Sequence, residues 1–344
     1  MRVTFETNEG SQTVAARPGE KILRAALRGG LPLPYDCATG TCGACKARLL
    51  AGRADSGWGD APGARRCGPG ELLTCQAVAL GACTLRVDRL RPSAAGTTRP
   101  AGVPGRLQRP RRLTHDVVSF DVDLSRPLPF AAGQFVLLEA PHITGARAYS
   151  IAGARRDGRT VSFVAKRKDG GRFGDWLFGE APDDAPVTVF GPLGRAVFDG
   201  RARRHLLCVA GGTGVAGMLS ILQRASEEGH LERFDAHLYF GVRTVRDVFL
   251  LDELAAIRAR HPARVAVTIA LSAEEPSAVR AFCHPGVEVT AGLVHDVMRE
   301  RMAGRLTNCR AYVAGPRAMV DASLRALIGP GWLPPGEIRF DRFD

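Results

Sequence analysis

The chain has 344 residues, 45% apolar and 24% charged, enough for two or three domains with cores of their own. Its net charge of +12 comes from 47 basic residues, and the excess is spread along the chain: 13 basic against 8 acidic residues in 1–92, 14 against 11 in 104–200, and 19 against 16 in 201–344. With no concentrated basic patch and no interleaved aromatic residues, that distribution argues against nucleic-acid binding.

Residues 1–92 open with alternating strands around Val3 and Phe5 and around Val14, joined by a turn at Asn8-Glu9-Gly10. A short helix follows from Gly19, with Ile22, Leu23, Ala26 and Leu27 on one face and Gly29-Gly30 as its stop. Cys37, Cys42 and Cys45 then stand in the spacing Cys-x4-Cys-x2-Cys, and Cys75 follows in Leu-Leu-Thr-Cys-Gln. This is the plant-type ligand pattern for a 2Fe–2S cluster, which moves one electron at a time. A zinc site normally draws on two Cys-x2-Cys pairs, which are absent here. Disulfides suit a secreted chain, but no leader precedes Met1-Arg-Val-Thr-Phe, so the expected compartment is the cytoplasm. Of the other cysteines, Cys208 and Cys309 lie in apolar strand-like runs and read as core. Cys67, Cys83 and Cys283 read as bystanders, with Cys67 and Cys83 flanking Cys75.

Small and kinking residues mark a linker at 93–103. Alternation resumes at Val118-Ser-Phe-Asp-Val-Asp-Leu, Val161-Ser-Phe-Val-Ala and Val187-Thr-Val-Phe, with turns at Asp157-Gly158 and Asp169-Gly170. Short strands at that spacing predict a small antiparallel β-barrel over 104–202. From 203 to 344 apolar strands (205–210, 236–241, 265–271, 310–314) alternate with helical segments (215–228, 251–260, 293–302, 317–328), the pattern of a doubly wound parallel sheet. The uncharged run 206–222 is broken by glycines and belongs to this pattern, so it does not read as a membrane span.

Two further motifs carry chemistry. Ala210-Gly-Gly-Thr-Gly-Val joins an apolar strand to an amphipathic helix, so Gly211, Gly212 and Gly214 let a phosphate approach the backbone at a helix N-terminus. Arg147-Ala-Tyr-Ser ends a predicted barrel strand and offers a cation, an aromatic ring and a hydroxyl; read alone it is an exposed strand. Together with the cysteine pattern and Tyr312-Val-Ala-Gly-Pro-Arg-Ala-Met, these motifs resemble the ferredoxin–NADP reductase superfamily across the whole chain. More narrowly, their order is similar to the reductase components of bacterial multicomponent oxygenases of the toluene, phenol or methane monooxygenase and benzoate dioxygenase types.

The resemblance implies a β-grasp ferredoxin domain (1–92), an FAD-binding β-barrel (104–202) and an NAD(P)H-binding domain (203–344). Cys37, Cys42, Cys45 and Cys75 would hold the cluster. Arg147 would hold the FAD pyrophosphate, Tyr149 would pack on the flavin and Ser150 would hydrogen-bond its N5, making Tyr149 and Ser150 the catalytic pair. Gly170, Gly171 and Gly174 match the segment that closes on the FAD phosphates. Gly211, Gly212, Thr213 and Gly214 would bind the nucleotide pyrophosphate, Gly315 and Pro316 would border the nicotinamide, and Phe343 would cover the flavin. Gly174, Ala132, Gly217 and Ala314 depart from the family's usual residues. The implied activity is electron transfer from NADH (NADPH is the other nucleotide considered) through FAD and the cluster to an oxygenase or another iron–sulfur acceptor protein, with the excess positive charge of 1–92 favouring an acidic partner. Two alternatives stay open: the reductase of a deoxysugar-forming iron–sulfur enzyme, and an electron carrier or redox sensor with a vestigial flavin site.

Overall fold

A computed structural model describes residues 1–91, 98–179, 183–274, 277, 282, 284–329 and 333–343. The N-terminal strands β1 (Arg2–Thr7) and β2 (Gly10–Ala15) form a hairpin, with Gly10 at φ +118°, a value only glycine adopts easily. They join β3 (Lys46–Ala51), β5 (Glu71–Leu73) and β7 (Cys83–Arg86) in a sheet of order β2-β1-β7-β3-β5, while β4 (Ala54–Asp55) pairs with β6 (Val78–Ala79). Helix α1 (Ile22–Arg28) buries Ile22, Leu23, Ala25, Ala26 and Leu27 in the core beneath the sheet, the β-grasp arrangement. Its first N–H groups, which have no partner within a helix, donate to the carbonyls of Ala77 and Thr74 on either side of Cys75. The helix that closes the core thereby also fixes the fourth cysteine.

Strands β8 (Ala101–Arg112), β9 (Val117–Leu124), β10 (Phe135–Glu139), β11 (Arg147–Ala154), β12 (Thr160–Lys166) and β13 (Pro186–Leu193) close an antiparallel barrel in the order β10-β11-β12-β9-β8-β13. Inward positions such as Phe120, Val136, Ile151 and Phe163 fill it, and α2 (Arg172–Gly179) plugs one end with Phe173 and Leu177. The β8 strand begins at Ala101, inside the stretch read from sequence as a linker. Residues 93–97 of that stretch lie outside the described residues.

The last third alternates β14 (His205–Gly211), α3 (Val215–Glu227), β15 (Ala236–Val242), α4 (Leu251–Arg260), β16 (Val265–Leu271), β17 (Glu288–Ala291), α5 (Val294–Met302), β18 (Cys309–Pro316), α6 (Arg317–Leu327) and β19 (Ile338–Phe343). All neighbours are parallel in the order β17-β16-β15-β14-β18-β19. Helices cover both faces, α3 and α4 in one apolar core and α5 and α6 in another. The strand order reverses between β14 and β18, and the crevice at their carboxyl ends is where such sheets take ligands. Cys208 and Cys309 are buried strand residues, as expected.

The barrel occupies the middle. Phe135, Leu137, Phe190 and Leu193 join the core of the N-terminal unit, whereas Val117, Ala132, Ala152 and Val164 join the core beside α3. No helix of the described residues is long and apolar enough to cross a membrane.

Candidate functional site

Cys37 and Cys42 place their Sγ atoms 3.2 Å apart and share a hydrogen bond, and Cys45 and Cys75 form a second interacting pair, Cys75 raising the Cys45 thiol pKa and Cys45 lowering that of Cys75. Backbone N–H groups aim at the sulfurs: Thr39 and Cys42 donate to Cys37 Sγ at 3.4 Å and Ala44 donates to Cys42 Sγ at 3.4 Å. The Gln76 amide reaches Cys75 Sγ at 3.5 Å. The Cys42 side chain, aided by the Thr41 and Thr39 hydroxyls and the Thr39 N–H and opposed by burial, holds the Cys37 thiol well below its ordinary range. Four converging sulfurs ringed by N–H donors suit an anionic iron–sulfur cluster, whose potential such donors tune. Gly40 and Gly43 have φ +94° and +74°, and a Cβ on Gly43 would come 2.9 Å from the Arg66 side chain. Cys83 is buried within β7 and Cys67 is half-buried behind the 62–66 turn; Cys283 lies outside the described residues.

Along β11, alternation places Arg147 and Tyr149 on one face and Ser150 on the other. The Tyr149 ring packs edge-on against Phe120 at 5.8 Å and tilted on Phe173 at 5.5 Å, so α2 and the barrel core fix it, and burial raises its hydroxyl pKa. Arg147 donates to the carbonyls of Thr144 and Ala146 and has no carboxylate partner among the described residues, leaving its charge free for an anion. Gly170 has φ +68° and open space where a Cβ would point; Gly171 accepts the Asp175 N–H in the first turn of α2. A Cβ on Gly174 would sit 3.1 Å from Arg167 Cα, which explains glycine there: the helix start lies against the preceding strand end. Ser150 faces α3, its Oγ 3.7 Å from where a Cβ of Gly217 would stand. The barrel strand and the glycine turn are thereby drawn together.

That turn runs from Gly211 through Gly212, at φ +52° with no atom within 4 Å of a Cβ, and Thr213, half-buried, to Gly214, whose Cβ would stand 2.2 Å from the Ala314 carbonyl oxygen. Gly315, at φ +155°, lies against Gly211, and Met319 covers both glycines. In the β18–β19 register, Pro316 pairs with Phe343 and Ala314 with Asp341. Gly211, Gly214, Gly315, Pro316 and Phe343 therefore share one crevice mouth. The open backbone at Gly212 and Gly170 suits phosphate groups, so the residues present fit two dinucleotides.

Sequence reasoning did not identify a junction where the three units touch. The Tyr35 hydroxyl accepts the Gly194 N–H at 3.1 Å, and its ring meets Phe135 edge-on at 6.5 Å. Asp341 Oδ2 stands 3.6 Å from where a Cβ of Gly194 would be. Asp341 keeps some exposed surface, yet its carboxyl is enclosed beside Gly194. Burial, with a further contribution from the Asp36 carboxylate, pushes it up to about 7.

Three family models match in this order: a 2Fe-2S iron-sulfur cluster binding domain over 5–80, an oxidoreductase FAD-binding domain over 104–198 and an oxidoreductase NAD-binding domain over 208–324. The ferredoxin–NAD(P)(+) reductase CarAd of Metapseudomonas resinovorans is 32% identical over 345 residues, covering 97% of this chain and 98% of the relative. The chain belongs to the ferredoxin–NAD(P) reductases of bacterial oxygenase systems. The reductase component of the alkene monooxygenase system of Xanthobacter autotrophicus is 33% identical, with 98% and 99% covered. Among solved structures, the ferredoxin reductase in carbazole 1,9a-dioxygenase superposes with TM-score 0.84 at 30% identity, covering 100% of this chain and 99% of that one. Like its relatives, this ferredoxin–NAD(P) reductase combines an iron–sulfur, an FAD-binding and an NAD-binding domain in one polypeptide.

Proposed function

We propose that this reductase receives electrons from NADH at the β14/β18 crevice, passes them through FAD on the barrel and the cluster in the N-terminal nest, and delivers them singly to the oxygenase component of its system. When bound, FAD supplies two-electron uptake with one-electron release, and the cluster supplies single-electron carriage. The chain's own residues place these groups. Arg147 and the N-terminus of α2, opened by Gly170 and Gly171, receive the FAD pyrophosphate. Ser150 holds the flavin edge toward α3, Tyr149 offers the exposed part of a ring pinned from behind, and Phe343 closes the other side beside Pro316. Gly211, Gly212, Thr213 and Gly214 cradle the nucleotide pyrophosphate, and Gly315 with Pro316 borders the nicotinamide. We take the domain limits as 1–92, 104–202 and 203–344, with strand β8 carrying the barrel back to Ala101.

The observation that carries this reading is β10. Phe135 pairs with Ser150 on β11 and packs against Tyr35, two residues before Cys37, so one strand links flavin strand and cluster loop. Described cysteines that are all free thiols fit a reducing compartment, and we place the protein in the cytoplasm. Replacing Cys42 with Ser tests the order of flow. NADH-driven ferricyanide reduction, taken at the flavin, is expected to persist, while cytochrome c reduction through the cluster is lost. Loss of both activities in a folded, flavin-loaded variant refutes the order.

A further inference from the structure

The nest of cysteines is gripped from two sides by contacts that no local motif announces. Tyr35 leads into Cys37, and its hydroxyl and ring are held by Gly194 and Phe135 of the barrel. On the other side, Arg24 of α1 makes a two-pronged ion pair with Glu139 at the end of β10, at 2.8 and 2.9 Å. The same guanidinium lies 5.3 Å from the centre of the Phe190 ring on β13. Helix α1 is the element whose first N–H groups bond the carbonyls flanking Cys75. One contact therefore acts on the Cys37 end of the nest and the other on the Cys75 end.

We infer that the Arg24–Glu139 pair and Tyr35 are positioning residues that clamp the cysteine nest onto the flavin-bearing barrel and so set the flavin-to-cluster distance. The inference rests on the functional reading above. Electron transfer between fixed centres weakens steeply with separation, so a rigid seat matters more here than raw affinity. The pair suits this role. The Arg24 side chain is only 16% exposed, its paired donors match a carboxylate in one orientation only, and Phe190 stacks against the guanidinium from the barrel side. Lysine at position 24 would keep the charge and lose the fixed fork.

Arg24→Glu removes the pair and sets like charges face to face, so the flavin-to-cluster step, followed by stopped-flow bleaching of the cluster bands after NADH mixing, should slow by about tenfold or more. The exchanged double variant, Arg24→Glu with Glu139→Arg, should recover to within about threefold of the wild-type rate. NADH–ferricyanide turnover and the resting cluster spectrum should stay unchanged in Arg24→Glu. Tyr35→Ala should slow the same step, and hydrogen exchange of the Gly194 amide, which Tyr35 protects, should accelerate; that measurement depends on neither turnover nor acceptor. Wild-type bleaching rates and Gly194 protection in Arg24→Glu and Tyr35→Ala overturn the clamp, as does an exchanged variant no faster than Arg24→Glu. If NADH bleaches no cluster in the wild-type protein itself, the functional reading fails instead.

Discussion

Gly214→Ala is the sharpest structural perturbation of the nucleotide crevice. The new Cβ would stand 2.2 Å from the Ala314 carbonyl oxygen, 2.6 Å from its carbon and 3.1 Å from the Gly315 nitrogen. Heavy atoms settle near about 3.5 Å, so helix α3 and strand β18 must part by roughly 1 Å. Neither yields easily: β18 is paired with β14 on one side and β19 on the other, and α3 is packed against the barrel. The cost belongs at or above the upper end of overpacking, about 3 kcal/mol, which should lower the melting of the nucleotide domain by roughly 6–12 °C. A 1 Å opening between Gly214 and Gly315 should also raise the KM for NADH by about tenfold or more. Gly212→Ala is the control. It has φ +52° and free space around the added atom, so only left-handed backbone strain of about 1–2 kcal/mol applies. Calorimetry of the two variants, with NADH titration of Gly214→Ala, decides the matter. A Gly214→Ala protein that melts like wild type, or one more stable than Gly212→Ala, refutes the packing argument.

Arg147→Ala should raise the FAD dissociation constant by about tenfold to a hundredfold through loss of a charge-assisted contact, while leaving the cluster bands intact; flavin release on dialysis measures it. Asp341 should make stability depend on pH. Free aspartate ionises near about 4, but the folded protein keeps this proton until about 7, so stability falls as pH rises through that interval. Asp341→Asn should remove that slope in melting curves taken from pH 5.5 to 7.5, and an unchanged slope refutes the assignment. Arg243 is exposed just beyond β15, the region where an arginine of a dinucleotide-binding sheet can accommodate a ribose 2′-phosphate. Arg243→Ala should therefore raise the KM for NADPH more than that for NADH, as comparison of the two coenzymes will show.

How much could be read in advance followed how local the chemistry was. The four-cysteine group was legible because three of its members sit in a fixed spacing on one loop, and the glycine turn because it joins strand to helix within eight residues. Helix limits in the last third fall within one residue of the expected ones, since each helix carries its own apolar stripe. Strand β17 was missed: four residues at a sheet edge, the outer two exposed and none buried, leave no alternation to see. Tyr35, Arg24 and Asp341 were missed for a different reason. Tyr35 meets a residue 159 positions away and Arg24 one 115 away, and nothing near either residue in the chain announces its partner. The opposite facing of Tyr149 and Ser150 was latent in the period of two, whereas the pinning of Tyr149 by Phe173 required the fold.

The Cys37 and Cys42 sulfurs stand 3.2 Å apart, only about 1 Å more than a covalent S–S bond requires. A freshly synthesised chain exposed to air before receiving iron could surrender two electrons and two protons from these thiols to oxygen and seal them as a disulfide. Thiols this close are best given iron before they meet an oxidant, so holoprotein yield in recombinant preparations should rise when reductant is kept present until iron is supplied.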